Sequence, residues 1–262
     1  MPKFAANLSM LFTEVDFLER FDAAADAGFS GVEFQFPYAH EMGDLQERLT
    51  RCGLTQVLHN LPPGDWDAGE RGIAALPDRV DEFRDGVETA LRYASVLGCR
   101  QLNCLAGIAP EGADPRLLNA TLVENLRYAA ERLGEVGIRL LVEPINTRDI
   151  PGFFLSTSAQ ALEILDAVGS PNLALQYDIY HMQVMEGDIA HRIREILPRI
   201  AHIQFADTPG RHEPGTGELN YPFLFAHLDS IGYDGWVSAE YRPATTTRKG
   251  LGWLAEADAG KS

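Results

Sequence analysis

A junction that repeats along the chain sets the strongest limit on what it can fold into. Gly28, Gly53, Gly98, Gly137, Gly169 and Gly232 each stand where a helical period stops, and each is followed within a few residues by a short apolar run. Val32-Glu33-Phe34-Gln35-Phe36 and Ile138-Arg139-Leu140-Leu141-Val142 are examples. Glycine takes the left-handed conformation past a helix end at little cost, so the pattern reads as helix feeding strand. One further junction uses Pro198. Eight runs can be counted, at residues 4–8, 32–36, 54–59, 100–105, 138–143, 173–178, 200–205 and 235–240. The segments between them are amphipathic. Residues 79–97, for instance, put Phe83, Val87, Ala90, Leu91 and Ala94 on one face and Glu82, Arg84, Asp85 and Arg92 mostly elsewhere. Strands separated by helices pair in parallel, because only a long crossover returns the chain to the same end of a sheet. Eight such units in 262 residues predict one closed (β/α)8 barrel with its helices outside.

No Ser-, Gly- or Pro-rich linker divides the chain, so residues 1–262 read as a single domain, with a frayed tail expected over 255–262. The long connections 60–78, 144–157 and 206–220 all follow strands, which puts them on the barrel face where catalytic groups gather. Charge narrows the partners. The chain has 22 Lys plus Arg against 38 Asp plus Glu, a formal charge of -16, and that field repels a phosphate backbone, so nucleic acid is not an expected partner. A small anion remains compatible, since charges more than about 8 Å apart are largely screened at physiological salt. Cys52, Cys99 and Cys104 form no CxxC pair, which fits a reducing, cytoplasmic compartment. No apolar run approaches the roughly 18 residues of a membrane helix. The apolar start is interrupted by Asn7 and Ser9 and lacks a small-residue cleavage site, so no signal peptide is expected.

The last four strands end on oxygen-bearing side chains: Glu143 in Leu-Leu-Val-Glu-Pro, Asp178 in Leu-Gln-Tyr-Asp, Gln204 in His-Ile-Gln-Phe-Ala-Asp and Glu240 in Val-Ser-Ala-Glu-Tyr. Neighbouring strands lie about 4.8 Å apart, so such residues can converge above the barrel. Three carboxylates that close repel one another unless a cation or protons compensate, and a divalent metal is the simplest compensation. A donor set made entirely of oxygens suits Mg2+ or Mn2+ better than Zn2+, with Co2+ possible. A single polar strand end is often only a strand reaching the surface; four in succession are harder to dismiss.

The chain closely resembles the hydroxypyruvate isomerase family, within the xylose-isomerase-like TIM barrels. The likeness is carried by Asn7-Leu8-Ser9-Met10-Leu11-Phe12, Gly31-Val32-Glu33-Phe34, Leu58-His59-Asn60-Leu61-Pro62, Gly64-Asp65-Trp66, Gly69-Glu70-Arg71-Gly72, Glu143-Pro144-Ile145-Asn146, Tyr177-Asp178-Ile179-Tyr180-His181-Met182 and Glu213-Pro214-Gly215-Thr216-Gly217-Glu218. The resemblance implies that Glu143, Asp178, Gln204 and Glu240 hold one divalent ion. It also implies that Glu143 and Glu240 serve as the acid/base pair in interconverting hydroxypyruvate and tartronate semialdehyde. Related ketose epimerases typically carry histidine where Gln204 stands, so their chemistry is a poorer guide. A homo-oligomer is a further implication.

His181, three residues after Asp178, is a candidate hydrogen-bond donor to substrate; a lone histidine is more often structural, and the resemblance tips the balance. His59 and Arg71 are candidates for the substrate carboxylate, the latter because an arginine fork matches it; the plain alternative for Arg71 is a loop ion pair with Glu70. His202 is expected to point the same way as Gln204 but deeper, where a core role is equally plausible. Residues 213–218 are a candidate lid, and Trp66, Phe153 and Phe154 are candidates to line the pocket's depth. The nearest alternative substrate is a 2-oxotetronate or a related sugar acid or ketose. A metal-dependent nuclease of the same superfamily and a non-catalytic sugar-acid binder are more remote readings.

Overall fold

Parallel pairing joins each strand to the next and the last to the first, so the computed structural model, which describes residues 2–259, closes on itself in sequence order. The strands are β1 (Lys3–Asn7), β2 (Gly31–Glu33), β3 (Thr55–Asn60), β4 (Gln101–Cys104), β5 (Arg139–Val142), β6 (Leu173–Asp178), β7 (Ile200–Phe205) and β8 (Trp236–Ala239). Around them run α1 (Arg20–Asp26), α2 (Met42–Cys52), α3 (Val80–Leu97), α4 (Pro115–Gly134), α5 (Ser158–Val168), α6 (Ile179–Met185), α7 (Ile189–Ile196), α8 (Tyr221–Ser230) and α9 (Gly252–Ala259). The expected barrel is therefore present. Gly53, Gly98 and Gly169 end α2, α3 and α5 with φ of 65°, 67° and 68°, the left-handed cap that the repeating junction implies. None of the described helices is long and apolar enough to cross a membrane.

Two hydrophobic layers result. The larger lies between strands and helices, where Phe83, Val87, Ala90 and Ala94 of α3 are buried as the helical period requires. A separate small cluster of Ala5, Val57, Leu58 and Leu141, flanked by Ala174, Ala201 and Trp236, plugs the lumen. Above that plug the inward-facing residues turn polar: Asn7, Glu33, Asn103, Gln176, His202, Gln204 and Ser238 are all buried. Alternation along each strand then carries the next inward positions, Glu143, Asp178 and Glu240, to the mouth.

Two expectations about element boundaries change. The run expected as a strand over 32–36 stops at Glu33, because the register against β3 slips between Val32 and Glu33 and the Gln35 amide donates to the Ser9 hydroxyl instead of the ladder. The frayed tail expected over 255–262 is helical as far as Ala259; residues 260–262 lie outside the described residues.

The 60–78 connection is anchored where it crosses β4. Gly72, at φ +107°, lies so close to the main chain of Leu105 that a Cβ would stand 2.3 Å from its carbonyl oxygen. Gly72→Ala adds both a clash and an unfavourable backbone conformation, together costing about 1–3 kcal/mol. A melting temperature lower by roughly 2–10 °C is expected in a thermal denaturation scan; a variant that melts with the wild type shows that the loop has room to move away.

Candidate active site

Each inward side chain at the mouth arrives with a partner from a neighbouring strand. Glu143, one residue beyond β5, accepts at Oε2 from Asn103 Nδ2 of β4 at 2.9 Å, and the same Asn103 amide lies 3.2 Å from Asn60 Oδ1 of β3. Asp178 ends β6 and caps α6: its Oδ1 accepts from the Tyr180 amide at 2.8 Å. Glu240 follows β8, taking Asn7 Nδ2 on Oε1 at 2.9 Å and Arg211 Nη2 on Oε2 at 2.6 Å. His181 Nε2 stands 3.4 Å from Asp178 Oδ2 and 3.8 Å from Glu143 Oε1. One donor atom from each of Glu143, Asp178, His181 and Glu240 falls within 4.8 Å of the others, and all four residues are buried.

Crowding of this kind has an electrostatic signature. Burial and then the charges of Glu240 and Asp178 push the Glu143 carboxyl well above the ordinary carboxylate range. Burial pushes Glu240 up to about 8 although Arg211 acts against it, and Asp178 up to about 6 against Arg211 and the Tyr180 amide. His181 is held well below the usual imidazole value by burial and by Arg211, so it is neutral. The cluster thus disfavours its own full ionisation. Asp178 Oδ2 is buried and accepts no hydrogen bond in good geometry; His181 and Arg211 stand off at 3.4 and 3.5 Å. An orphaned carboxylate oxygen facing two more carboxylates fits a divalent cation.

Arg211 is a site residue that the sequence did not suggest. It lies in the 206–220 connection with φ 56°, a left-handed backbone unusual for arginine, and stacks its guanidinium 5.1 Å from the Tyr180 ring. Burial alone would weaken its hold on its proton, but Glu240, Asp178 and Glu143 outweigh that and raise it. The loop that carries it is gathered around one buried carboxylate. Asp207 accepts from the amides of Thr208 and Leu219 on Oδ1 and of Gly215 and Gly217 on Oδ2, at 2.9 to 3.0 Å. Within the candidate lid at 213–218, Gly217 permits a close approach: a Cβ there would lie 1.8 Å from the Thr208 carbonyl oxygen.

Gln204 lies lower in the lumen, in register with Asp178 and with Ser238 rather than Glu240. Its Nε2 donates to Glu33 Oε1 at 2.7 Å and its Oε1 accepts from Gln176 at 2.6 Å. Glu33, which the sequence does not single out as a site residue, takes Asn7 on Oε1 and His202 Nε2 on Oε2 at 2.9 and 2.7 Å. Burial would raise this carboxyl, yet His202 and the hydrogen bonds outweigh it and hold it low. His202 is therefore deep and hydrogen-bonded, in the core role that was one of its two expected alternatives. Because Glu33 can only accept, the end of Gln204 that meets it is the amide nitrogen, and the oxygen is the end that takes the Gln176 amide.

The residues enclose a cavity of about 910 Å³ whose walls include Asn60, Trp66, Arg71, Gln204, Arg211 and Arg242. Arg71 is fixed there by stacking 4.0 Å from the Trp66 ring and by donating to the Trp66 and Glu70 carbonyls. Glu70 itself pairs with Arg79, not Arg71. His59 is turned the other way. Leu58 and Asn60 face the cavity, so His59 points into the helix layer, fully buried against Phe34 and Tyr38, where burial depresses it to about 3 despite the Ala90 backbone. Its assignment to substrate is corrected. Phe153 and Phe154 also leave the cavity, because their backbone pairs with Ile108 and Gly107; Trp66 stays.

A parallel barrel with acidic side chains gathered above its C-terminal strand ends defines a class, and the family model described as xylose isomerase-like TIM barrel matches residues 21–257. Within it, an Escherichia coli (strain K12) protein named hydroxypyruvate isomerase is 54% identical over 97% of this chain and 98% of its own. A Cupriavidus necator protein named 2-oxo-tetronate isomerase is 51% identical over the same shares of both chains. A crystal structure from Brucella melitensis, described as an AP endonuclease, family 2, superposes with a TM-score of 0.96 at 51% identity over 98% of this chain and 99% of that one. The chain belongs to the hydroxypyruvate isomerase family.

Asp207→Asn leaves one acceptor oxygen where there were two, so about half of the four loop amides lose their partner. Amide hydrogen exchange at Gly215 and Gly217 is expected to accelerate at least 10-fold, equivalent to a lost bond of about 1.4 kcal/mol. Unchanged protection there means that the loop is held by other contacts.

Proposed function

We propose that this enzyme is an aldose-ketose type isomerase that interconverts hydroxypyruvate and tartronate semialdehyde, with Glu143 and Glu240 exchanging protons with the two carbons. The observation that carries the reading is the placement of two proton-raised glutamates and a neutral histidine around one buried acidic point. Glu143, Asp178 and Glu240, with the oxygen of Gln204, would hold the ion, and three carboxylates plus an amide oxygen favour Mg2+ or Mn2+, with Co2+ compatible. When bound, a divalent ion supplies Lewis-acid polarisation of the substrate's carbonyl and hydroxyl oxygens and offsets the charge of an enediolate.

The chain's own groups do the remainder. Converting a 3-hydroxy-2-oxo acid to a 2-hydroxy-3-oxo acid removes a proton from C3, adds one to C2 and moves the hydroxyl proton from O3 to O2. Glu143 and Glu240 come from strands on different sides of the mouth, so one can accept the C3 proton while the other delivers to C2, and carboxyls lifted toward neutrality are matched to that exchange. His181 directs a ring N–H at the reacting oxygens. Arg71, immobilised on Trp66, offers its remaining donors to the substrate carboxylate. The partner implied is a small anionic hydroxy-keto acid, with no role for nucleic acid or a membrane surface. The free thiols Cys52, Cys99 and Cys104 fit the reducing cytoplasm.

A second reading has a specific basis. A cavity of about 910 Å³ leaves space for a longer chain, and relatives 51% and 46% identical are named 2-oxo-tetronate isomerase. The endonuclease description of the Brucella structure is a poorer guide, because a net charge of -16 opposes a phosphate backbone.

Chelator-stripped protein is expected to be inactive and to recover with Mg2+ or Mn2+, aldehyde formation being followed on three-carbon and four-carbon 2-keto acids side by side. A kcat/KM at least 10-fold higher for the three-carbon acid supports the main reading, equivalent to about 1.4 kcal/mol of preference; the reverse ratio replaces it with the second. Full activity after stripping removes the ion from the account. Separately, Glu143→Gln and Glu240→Gln are each expected to lower kcat by about 100-fold or more, and a variant turning over normally cannot have lost an acid/base group.

A further inference from the structure

Asn146, in the connection after β5, touches no reacting group, yet its side chain fixes where His181 carries its proton. Two neighbours define which end of the Asn146 amide is which. The Asp149 backbone N–H donates to Oδ1 at 2.8 Å, and only an oxygen can accept it. On the other side Nδ2 lies 3.2 Å from Asp149 Oδ2, a carboxylate oxygen that only a donor can approach in this way. Asp149 Oδ2 is itself positioned by the Tyr180 hydroxyl at 2.8 Å. With the amide so oriented, the atom 2.6 Å from His181 Nδ1 is Nδ2, a donor. Nδ1 must therefore be the acceptor of a neutral ring, and the proton sits on Nε2.

Nε2 is the nitrogen that faces the cluster, 3.4 Å from Asp178 Oδ2 and 3.8 Å from Glu143 Oε1. Arg211 Nη2, 3.5 Å away, is also a donor, and both groups are drawn to Asp178 Oδ2 rather than to each other. We propose that Asn146 is a positioning residue: through its amide it locks His181 as an Nε2–H hydrogen-bond donor to substrate and so keeps His181 out of the metal ligand set. A ring nitrogen that carries a proton has no lone pair for an ion, although geometry alone would admit His181 beside the carboxylates. The catalytic consequence rests on the isomerase reading; the position of the proton does not.

The test reads that position directly. In full-length protein labelled with 15N-histidine, long-range 1H–15N correlation separates the two neutral tautomers and the cation, and His181→Gln identifies the signal. The wild type is expected to show a neutral ring protonated at Nε2, and to keep it when Mn2+ or Mg2+ is added. Asn146→Asp replaces the donor with an acceptor and is expected to move the proton to Nδ1. In that variant kcat should fall by about 100-fold or more with a much smaller change in KM, as expected when a histidine holds the wrong tautomer. Mn2+ affinity, measured calorimetrically, should stay within about 3-fold in both Asn146→Asp and His181→Gln, since outer-sphere losses at a true ligand run to about 10–100-fold. A wild-type signal from the Nδ1-protonated or charged ring overturns the proposal whether or not the variants fold, and so does loss of Mn2+ affinity in His181→Gln. Normal turnover on neither keto acid with an Nε2-protonated His181 would instead count against the isomerase reading alone.

Discussion

Repulsion among three buried carboxylates is the constraint around which the mouth of this barrel is arranged. Glu143, Asp178 and Glu240 present oxygens within 4.8 Å of one another, a separation at which like charges in a poorly solvated space cannot all be tolerated without compensation. The protein meets that constraint by layers. Arg211 supplies a positive charge from above, Asn7 and Asn103 supply amide donors from the sides, and Asp178 gives one of its oxygens to the first turn of α6. What remains uncompensated is concentrated on a few oxygens that face one another. A buried group of this kind is costly to stability, and its perturbed carboxyls are what a site that could hold a positive charge presents.

The polar layer underneath sets directions rather than charge. Asparagine and glutamine have two chemically different ends of nearly the same shape, and an amide placed among neutral neighbours can face either way. Here these amides meet groups of fixed sense: Gln204 and Asn7 meet Glu33, Asn103 meets Glu143, and Asn146 meets the Asp149 backbone. Glu33 is therefore central although it lies beneath the reacting space. The His202 contact lets it stay ionised in the lumen, and its charge aligns the amides above it.

The barrel and the acidic centre were legible in the sequence for a common reason. Glycine-capped helices and apolar runs repeat, and a carboxylate at the end of an apolar run stands out against its neighbours; Glu143, Asp178 and Glu240 were found that way. His59 turns away because the pairing of β3 with β2 skips Val57: Val57 and Leu58 both join the lumen cluster, and from Leu58 onward the inward parity belongs to Leu58 and Asn60. Arg211 left no periodic trace, since it sits in an irregular loop whose path depends on Asp207 and whose sense only the folded chain reveals. Glu33 was hidden in another way. Inside Val-Glu-Phe it reads as the polar member of an alternating strand, whereas the closed lumen makes that polar face an interior. Asn146 was visible only as part of a motif, because which amide end meets which neighbour is settled by three-dimensional contacts.

The plug of Ala5, Val57, Leu58 and Leu141 closes the cylinder below the polar layer, so the chamber is approached from the loop side. Depth along that approach has an order. Asp178 is wholly enclosed and Glu143 and Glu240 nearly so, whereas Arg71 and Trp66 stand nearer the entrance and are only partly covered. An ion held by the carboxylates would have to come in ahead of a molecule bound at Arg71, and could not depart until that molecule had gone. The closed floor would thus make an innermost occupant a resident and an outer one a visitor.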